Sequence, residues 1–85
     1  MYRKAQEVKE RVESEKLLLY NINTRKLIVL EDMGIGVWNL LSEKSPEEIQ
    51  EILTDYHPQD KEKIQRYLKK FIDDLVKRKF LVKEE

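Results

Sequence analysis

One histidine and no cysteine bound the chemistry this chain can do. His57 stands just before Pro58, at a helix end, where an imidazole is ordinarily a surface or capping group. Metal binding would need further ligands at matched spacing, and no HExxH, cysteine pair or acid-rich loop supplies them. Ser14, Ser42 and Ser45 lack a basic partner nearby in sequence, and Ser45 is better explained as a helix cap. Gly34-Ile35-Gly36 is too short for a phosphate-cradling loop and is not followed by a lysine. Carboxylates are plentiful, but they alternate with Lys and Arg as solvated faces do. These residues predict a protein that is not an enzyme and uses no metal or other cofactor.

What remains is recognition chemistry. Leu27, Ile28, Val29 and Leu30 form an apolar run with no charge, proline or bulge signal to guard it, and no obvious later strand to pair with it. An exposed sheet edge is normally protected by one of those devices. An unguarded edge next to a helix offers main-chain hydrogen bonds and an apolar wall together, which suits capture of an extended peptide. A plain core strand is the competing reading.

Composition limits the partners. The chain has 85 residues, 40% apolar and 40% charged, with 17 basic residues balancing 17 acidic ones. That length predicts one domain spanning residues 1–85 with a small core. Zero net charge gives no global attraction to nucleic acid or anionic membrane. No apolar run approaches the roughly 20 residues that span a bilayer, and MYRKAQEVKE lacks the apolar centre of a secretion signal. The expected location is the cytoplasm.

The elements that would position the strand are legible in part. Residues 2–15 read two ways: Ala5, Val8 and Val12 recur at helical spacing, whereas Val8, Glu10 and Val12 share one face of a strand. Leu17 to Tyr20 and Leu27 to Leu30 read as an antiparallel hairpin around Asn21-Ile22-Asn23-Thr24-Arg25. Asp32 is expected to cap a helix whose apolar face holds Val37, Trp38, Leu40 and Leu41, with Gly34 and Gly36 allowing close approach to the sheet. Ser45-Pro46-Glu47-Glu48 carries a cap, a first-turn proline and a capping-box glutamate in order. Ile49, Ile52, Leu53 and Tyr56 then mark a short helix ending near His57-Pro58. Asp60 starts the longest helix, with Ile64, Leu68, Phe71, Ile72, Leu75 and Val76 as its buried stripe and Tyr67 at the margin. Phe80, Leu81 and Val82 are expected to tuck back onto the sheet. The order predicts an α+β fold with winged-helix-like ingredients, a three-stranded antiparallel sheet packed with three helices.

Trp38 on an apolar helix face reads as core rather than as a partner anchor. The basic flank Lys63, Arg66, Lys70 and Lys77 has two functional readings beside that of a solvated face. It could enter a DNA groove as a winged-helix regulator, although Asp60, Glu62, Asp73 and Asp74 dilute it. Alternatively Lys63, Arg66 and Lys70 rim a groove and orient acidic residues of a peptide.

The LLLY strand at 17–20, the block LIVLEDMGIGVWNLL at 27–41, SPEEIQEIL at 45–53 and LVKRKFLV at 75–82 resemble the PqqD-like family. These are the small leader-peptide-binding domains called RiPP recognition elements. The resemblance implies that a precursor leader peptide is held as an added strand beside Leu27, Ile28, Val29 and Leu30. The groove would be bounded by Ile64, Tyr67, Leu68, Lys70, Phe71 and Asp74. It also favours a strand for Val8 to Val12. A free-standing chain of this size is most similar to the recognition proteins of lasso-peptide pathways. The implied companions are a transglutaminase-like leader peptidase and an asparagine-synthetase-like cyclase, with a radical enzyme of a PQQ or sactipeptide pathway as the alternative. Pairing of the exposed strand with a second copy is a further expectation. The chain departs from the family where a glycine is common, at Arg25, Lys44 and Lys79, and at Glu31, where Asn is frequent.

Overall fold

The computed structural model describes residues 2–84. The strands are β1 (Tyr2–Lys4), β2 (Val8–Glu13), β3 (Lys16–Asn21), β4 (Lys26–Leu30) and β5 (Leu81–Lys83); the helices are α1 (Met33–Leu40), α2 (Pro46–Tyr56) and α3 (Lys61–Lys77). A single 3-10 turn, Pro58–Asp60, links α2 to α3. The expected α+β architecture is present: β2, β3 and β4 form an antiparallel sheet in that order, packed with three helices. No described helix is long and apolar enough to cross a membrane.

The ambiguous N-terminal segment is resolved as strand. Val8 to Glu13 pairs residue for residue with Asn21 to Lys16. Each ladder bond satisfies a backbone group that local helix propensity could satisfy only at the cost of abandoning β3. The Ser14-Glu15 loop joins these strands with φ of 47° and 66°, the positive pair that a two-residue type I′ hairpin loop requires. No Asn-Gly or Asp-Gly signature announces it.

Phe80 to Val82 do not rejoin the three-stranded sheet as expected. Leu81 to Lys83 form β5, which pairs with β1 in a separate two-stranded ribbon. Ala5 N–H donates to the Phe80 carbonyl at 3.0 Å and extends that ribbon. Phe80 is fully buried nonetheless, in a core with Leu19, Trp38, Leu41, Ile49 and Leu75. Trp38 is a core residue, with the Lys4 ammonium 4.9 Å from its ring centroid.

The helix caps divide. Ser45 accepts from Glu48 N–H at 3.2 Å, and Glu48 Oε1 accepts from Ser45 N–H at 2.9 Å, a complete capping box. The bond from the Ser45 backbone holds the Glu48 carboxyl below its ordinary value of 4.5. That contribution is therefore present above the ordinary value and lost as pH falls through the lowered one. Asp32, by contrast, makes no side-chain cap. It adopts φ 50° and ψ −120° in a turn closed by Gly34 N–H on the Glu31 carbonyl at 3.0 Å. Asp60 likewise makes no side-chain cap for α3. Tyr56, expected on the apolar face of α2, is 78% exposed in its last turn.

Asn21 organises the β3–β4 turn through its side chain rather than through a left-handed backbone. Its Oδ1 accepts from Asn23 N–H at 2.9 Å and Thr24 N–H at 3.0 Å, and its Nδ2 donates to the Lys79 carbonyl at 2.7 Å. Left-handed backbone is instead found at Arg25 (φ 62°) and Lys79 (φ 68°), two positions where the resemblance implied glycine. These turns are thus held by side-chain-bearing residues at a cost in strain.

Two variants of this clasp should move stability in opposite directions. Asn21→Ala strands three buried or half-buried backbone groups and should lose about 2–3 kcal/mol in urea unfolding followed by circular dichroism. Arg25→Gly relieves the left-handed strain and should gain up to about 1 kcal/mol, part of the relief being offset by glycine's backbone entropy.

Candidate functional site

The three-stranded sheet has two outer edges, and they differ chemically. On β2 the edge reads Val-Lys-Glu-Arg-Val-Glu, with Arg11 and Glu13 paired at 3.1 Å. Such charge guards an edge against pairing. On β4 the edge reads Lys-Leu-Ile-Val-Leu. Among the described residues, β4 pairs with β3 alone. Its outward backbone groups thus have no strand partner, over a length of about 17 Å at strand rise.

Alternation along β4 divides its side chains. Leu30 is 8% exposed and Ile28 packs partly against the core, so this face looks toward the helices. Leu27 and Val29 are 56% and 48% exposed on the opposite face. There they stand opposite Tyr20 and Leu18 of β3 in the sheet register.

The second wall is one flank of α3. Helical spacing of three and four brings Lys63, Tyr67, Phe71, Asp74 and Arg78 onto one stripe. Tyr67 and Phe71 stack with centroids 5.6 Å apart and planes at 23°. A Cβ at Gly34 would lie 3.5 Å from both Phe71 Cε1 and Tyr67 Oη and 3.8 Å from Leu30 Cβ. Glycine there brings the start of α1, the end of β4 and this aromatic pair to van der Waals contact. Gly36 meets nothing within 4 Å. Of the two glycines expected to allow close approach, only Gly34 does so, and its neighbours include α3. Partial burial raises the Tyr67 phenol above its ordinary value of 10.0, which keeps it protonated through the neutral range.

Two clefts mark the ends of the lane between β4 and α3. One, about 610 Å³, is lined by Thr24, Lys26, Leu27 and Ile28 from the hairpin and by Asp74, Lys77, Arg78 and Lys79 from the end of α3. The other, about 360 Å³, is lined by Met33, His57, Asp60, Lys63, Ile64 and Tyr67. The start of β4 thus faces the end of α3, and the two elements run in opposite directions. The lane is bounded by a backbone edge, an aromatic pair, an apolar cleft and a cationic cleft. The described residues hold no cluster of His, Asp or Glu able to bind a metal ion.

Most of the residues expected at the site meet here. Leu27, Ile28, Val29 and Leu30 form the edge. Ile64 is 4% exposed and contributes to the apolar cleft; Tyr67, Phe71 and Asp74 lie along the lane. Asp74 is held by Arg78 at 3.2 Å. Lys70 lies on the outer ridge of α3 with Arg66, Lys69 and Asp73. Leu68 is buried and lines a cleft on the far side of α3, with Tyr2 and Pro46. Sequence reasoning missed Lys26, Lys79, Met33 and His57 as lining residues. No spacing signal connects them, because they come from four separate turns or element ends.

An antiparallel sheet with one vacant, apolar edge facing a helical wall defines a small α+β domain. The chain matches the family described as Coenzyme PQQ synthesis protein D (PqqD) over residues 16–81 and belongs to that family. Among solved structures it is similar to "TbiB1 in Complex with the TbiA(beta) Leader Peptide", with a TM-score of 0.85 and 24% identity; the match covers 98% of each chain. No curated protein matches it.

The two glycines of α1 should respond differently to added side chains. Gly34→Leu must displace Tyr67 or Phe71 and should cost about 1–3 kcal/mol. Gly36→Ala enters open space at an exposed position of α1 and should gain up to about 1 kcal/mol. Thermal unfolding of both variants checks the contrast.

Proposed function

We propose that this protein is a non-catalytic recognition module that binds the leader segment of a ribosomally made precursor peptide. The leader adds as a strand to β4, its side chains entering the lane against α3, and is delivered there to modifying enzymes. A lasso-peptide leader peptidase and cyclase are the favoured companions. The observation that carries this reading is the unpaired β4 edge beside an open, partly apolar lane. Membership of the PqqD family supports it, as does likeness to a fold solved with a leader peptide bound.

The physics of the lane fits this role. Ladder hydrogen bonds supply sequence-independent affinity, and the apolar positions supply selection. Each apolar side chain the leader buries contributes about 1.5–3 kcal/mol gross. Ordering a flexible peptide offsets about 2–5 kcal/mol or more of the total. A few anchors must therefore dominate, and the stacked Tyr67 and Phe71 rings are the aromatic surface the lane offers them.

Calorimetry with the leader encoded by a neighbouring precursor gene tests the proposal. Tyr67→Ala and Phe71→Ala should each weaken binding about tenfold, the equivalent of about 1.4 kcal/mol, while circular dichroism stays native. Unchanged affinity in both variants would reject the lane. Amide exchange locates the added strand independently. Bound leader should slow exchange of the outward amides within residues 27–30 and leave the β2 edge unaffected. Protection confined to β2 would refute strand addition at β4. Charge reversal at Lys70 should chiefly alter the salt dependence of binding, because a rim charge steers more than it holds.

A further inference from the structure

The two ends of the lane have opposite chemical character, and the sheet gives the lane a direction. At the hairpin end, Lys26, Lys77, Arg78 and Lys79 surround a cleft whose only lining acid among the described residues is Asp74. Arg78 already holds that acid at 3.2 Å. No ion pair among the described residues engages Lys26, Lys77 or Lys79. Lysines at a helix C-terminus commonly do no more than complement its dipole. Lys26 has no such role, since it comes from β4. Three lysines without an ion pair among the described residues, from β4, the last turn of α3 and the turn after it, thus line one concavity in a chain of zero net charge.

We infer that the peptide taken by this lane carries an acidic side chain seated in that cleft, an even number of positions after its apolar anchor along the peptide. This rests on strand addition at β4 as proposed above. β4 runs from the cationic cleft toward the apolar one. The sheet is antiparallel throughout, and antiparallel pairing is the more stable continuation. The added strand therefore runs the other way, entering at Met33 and Tyr67 and leaving at Lys26 and Lys77. From Tyr67 to Lys77 the helix rises about 15 Å. That is about four to five strand residues. Alternation requires an even count for both side chains to face α3, which selects a spacing of four, with six as the next permitted value.

Selection from a random twelve-residue peptide library displayed on phage, against the immobilised full chain, tests the inference. Recovered peptides should share an apolar residue followed four or six positions later by Asp or Glu. With the Lys26→Gln/Lys77→Gln double variant the acid preference should vanish while the apolar residue persists. In fluorescence anisotropy, the best peptide with its acid changed to Gln or Asn should bind about fivefold more weakly at low salt, a difference that shrinks as salt rises. Peptides that share the apolar residue and show no acid preference, an odd spacing or an acid ahead of the anchor would overturn this inference and leave strand addition standing. Recovery of no common sequence, or recovery unaffected by Tyr67→Ala, would overturn both.

Discussion

Asn21 fixes the relation on which the site depends. Its side chain is fully buried and joins two elements that sequence separates by 58 positions. The oxygen closes the β3–β4 turn, and the amide nitrogen holds the last turn beyond α3. The start of β4 and the end of α3 are thereby set at a defined separation, and the cationic cleft lies between them. A buried amide is costly unless its groups are paired. Here pairing both ends turns that penalty into a geometric constraint. Gly34 plays the matching part at the other end, where absence of a side chain lets α1 and the Tyr67–Phe71 pair close on Leu30.

Between these two fixed ends the sheet is left incomplete on one side. The asymmetry of its edges is a matter of composition. Charges on β2 make a further strand there unfavourable to dock, whereas β4 offers apolar side chains on both faces. A domain of this size buries little core, so leaving an apolar strand half exposed forgoes stability it could otherwise use. Under the proposed function a bound leader completes this surface, its binding energy coming from the same apolar and ladder terms that hold the domain itself together.

Much of this was legible in the residues. The capping box at Ser45 to Glu48 appeared where its spacing put it, because a cap involves contacts within one turn. The stripe of α3 and the burial of Trp38 followed from periodicity. The β4 edge followed from the lack of any guard or later partner. Residues 2–15 were not legible by the same means. Their helical and strand patterns coexist, and only pairing with β3 decides between them. The Ser14-Glu15 turn was silent because neither residue favours positive φ, and the ladder on either side imposes it. Asp32 looked like a cap by type and position, but the sharp reversal out of β4 turns its backbone elsewhere. β5 was placed on the wrong partner because a short apolar tail carries no record of which strand it will meet.

The sequence alone determined the local features: which segments are apolar, where α2 begins, and that residues 27–30 lack charge. Those depend on contacts between residues a few positions apart. Tertiary structure decided what lies across the lane. It brought Lys26 to Lys77 and Lys79, Met33 to His57 and Tyr67, and Asn21 to the Lys79 carbonyl, and it turned Leu68 away to the other side of α3. These meetings depend on how helix and sheet pack, and a packing angle is a property of the whole core rather than of any segment within it.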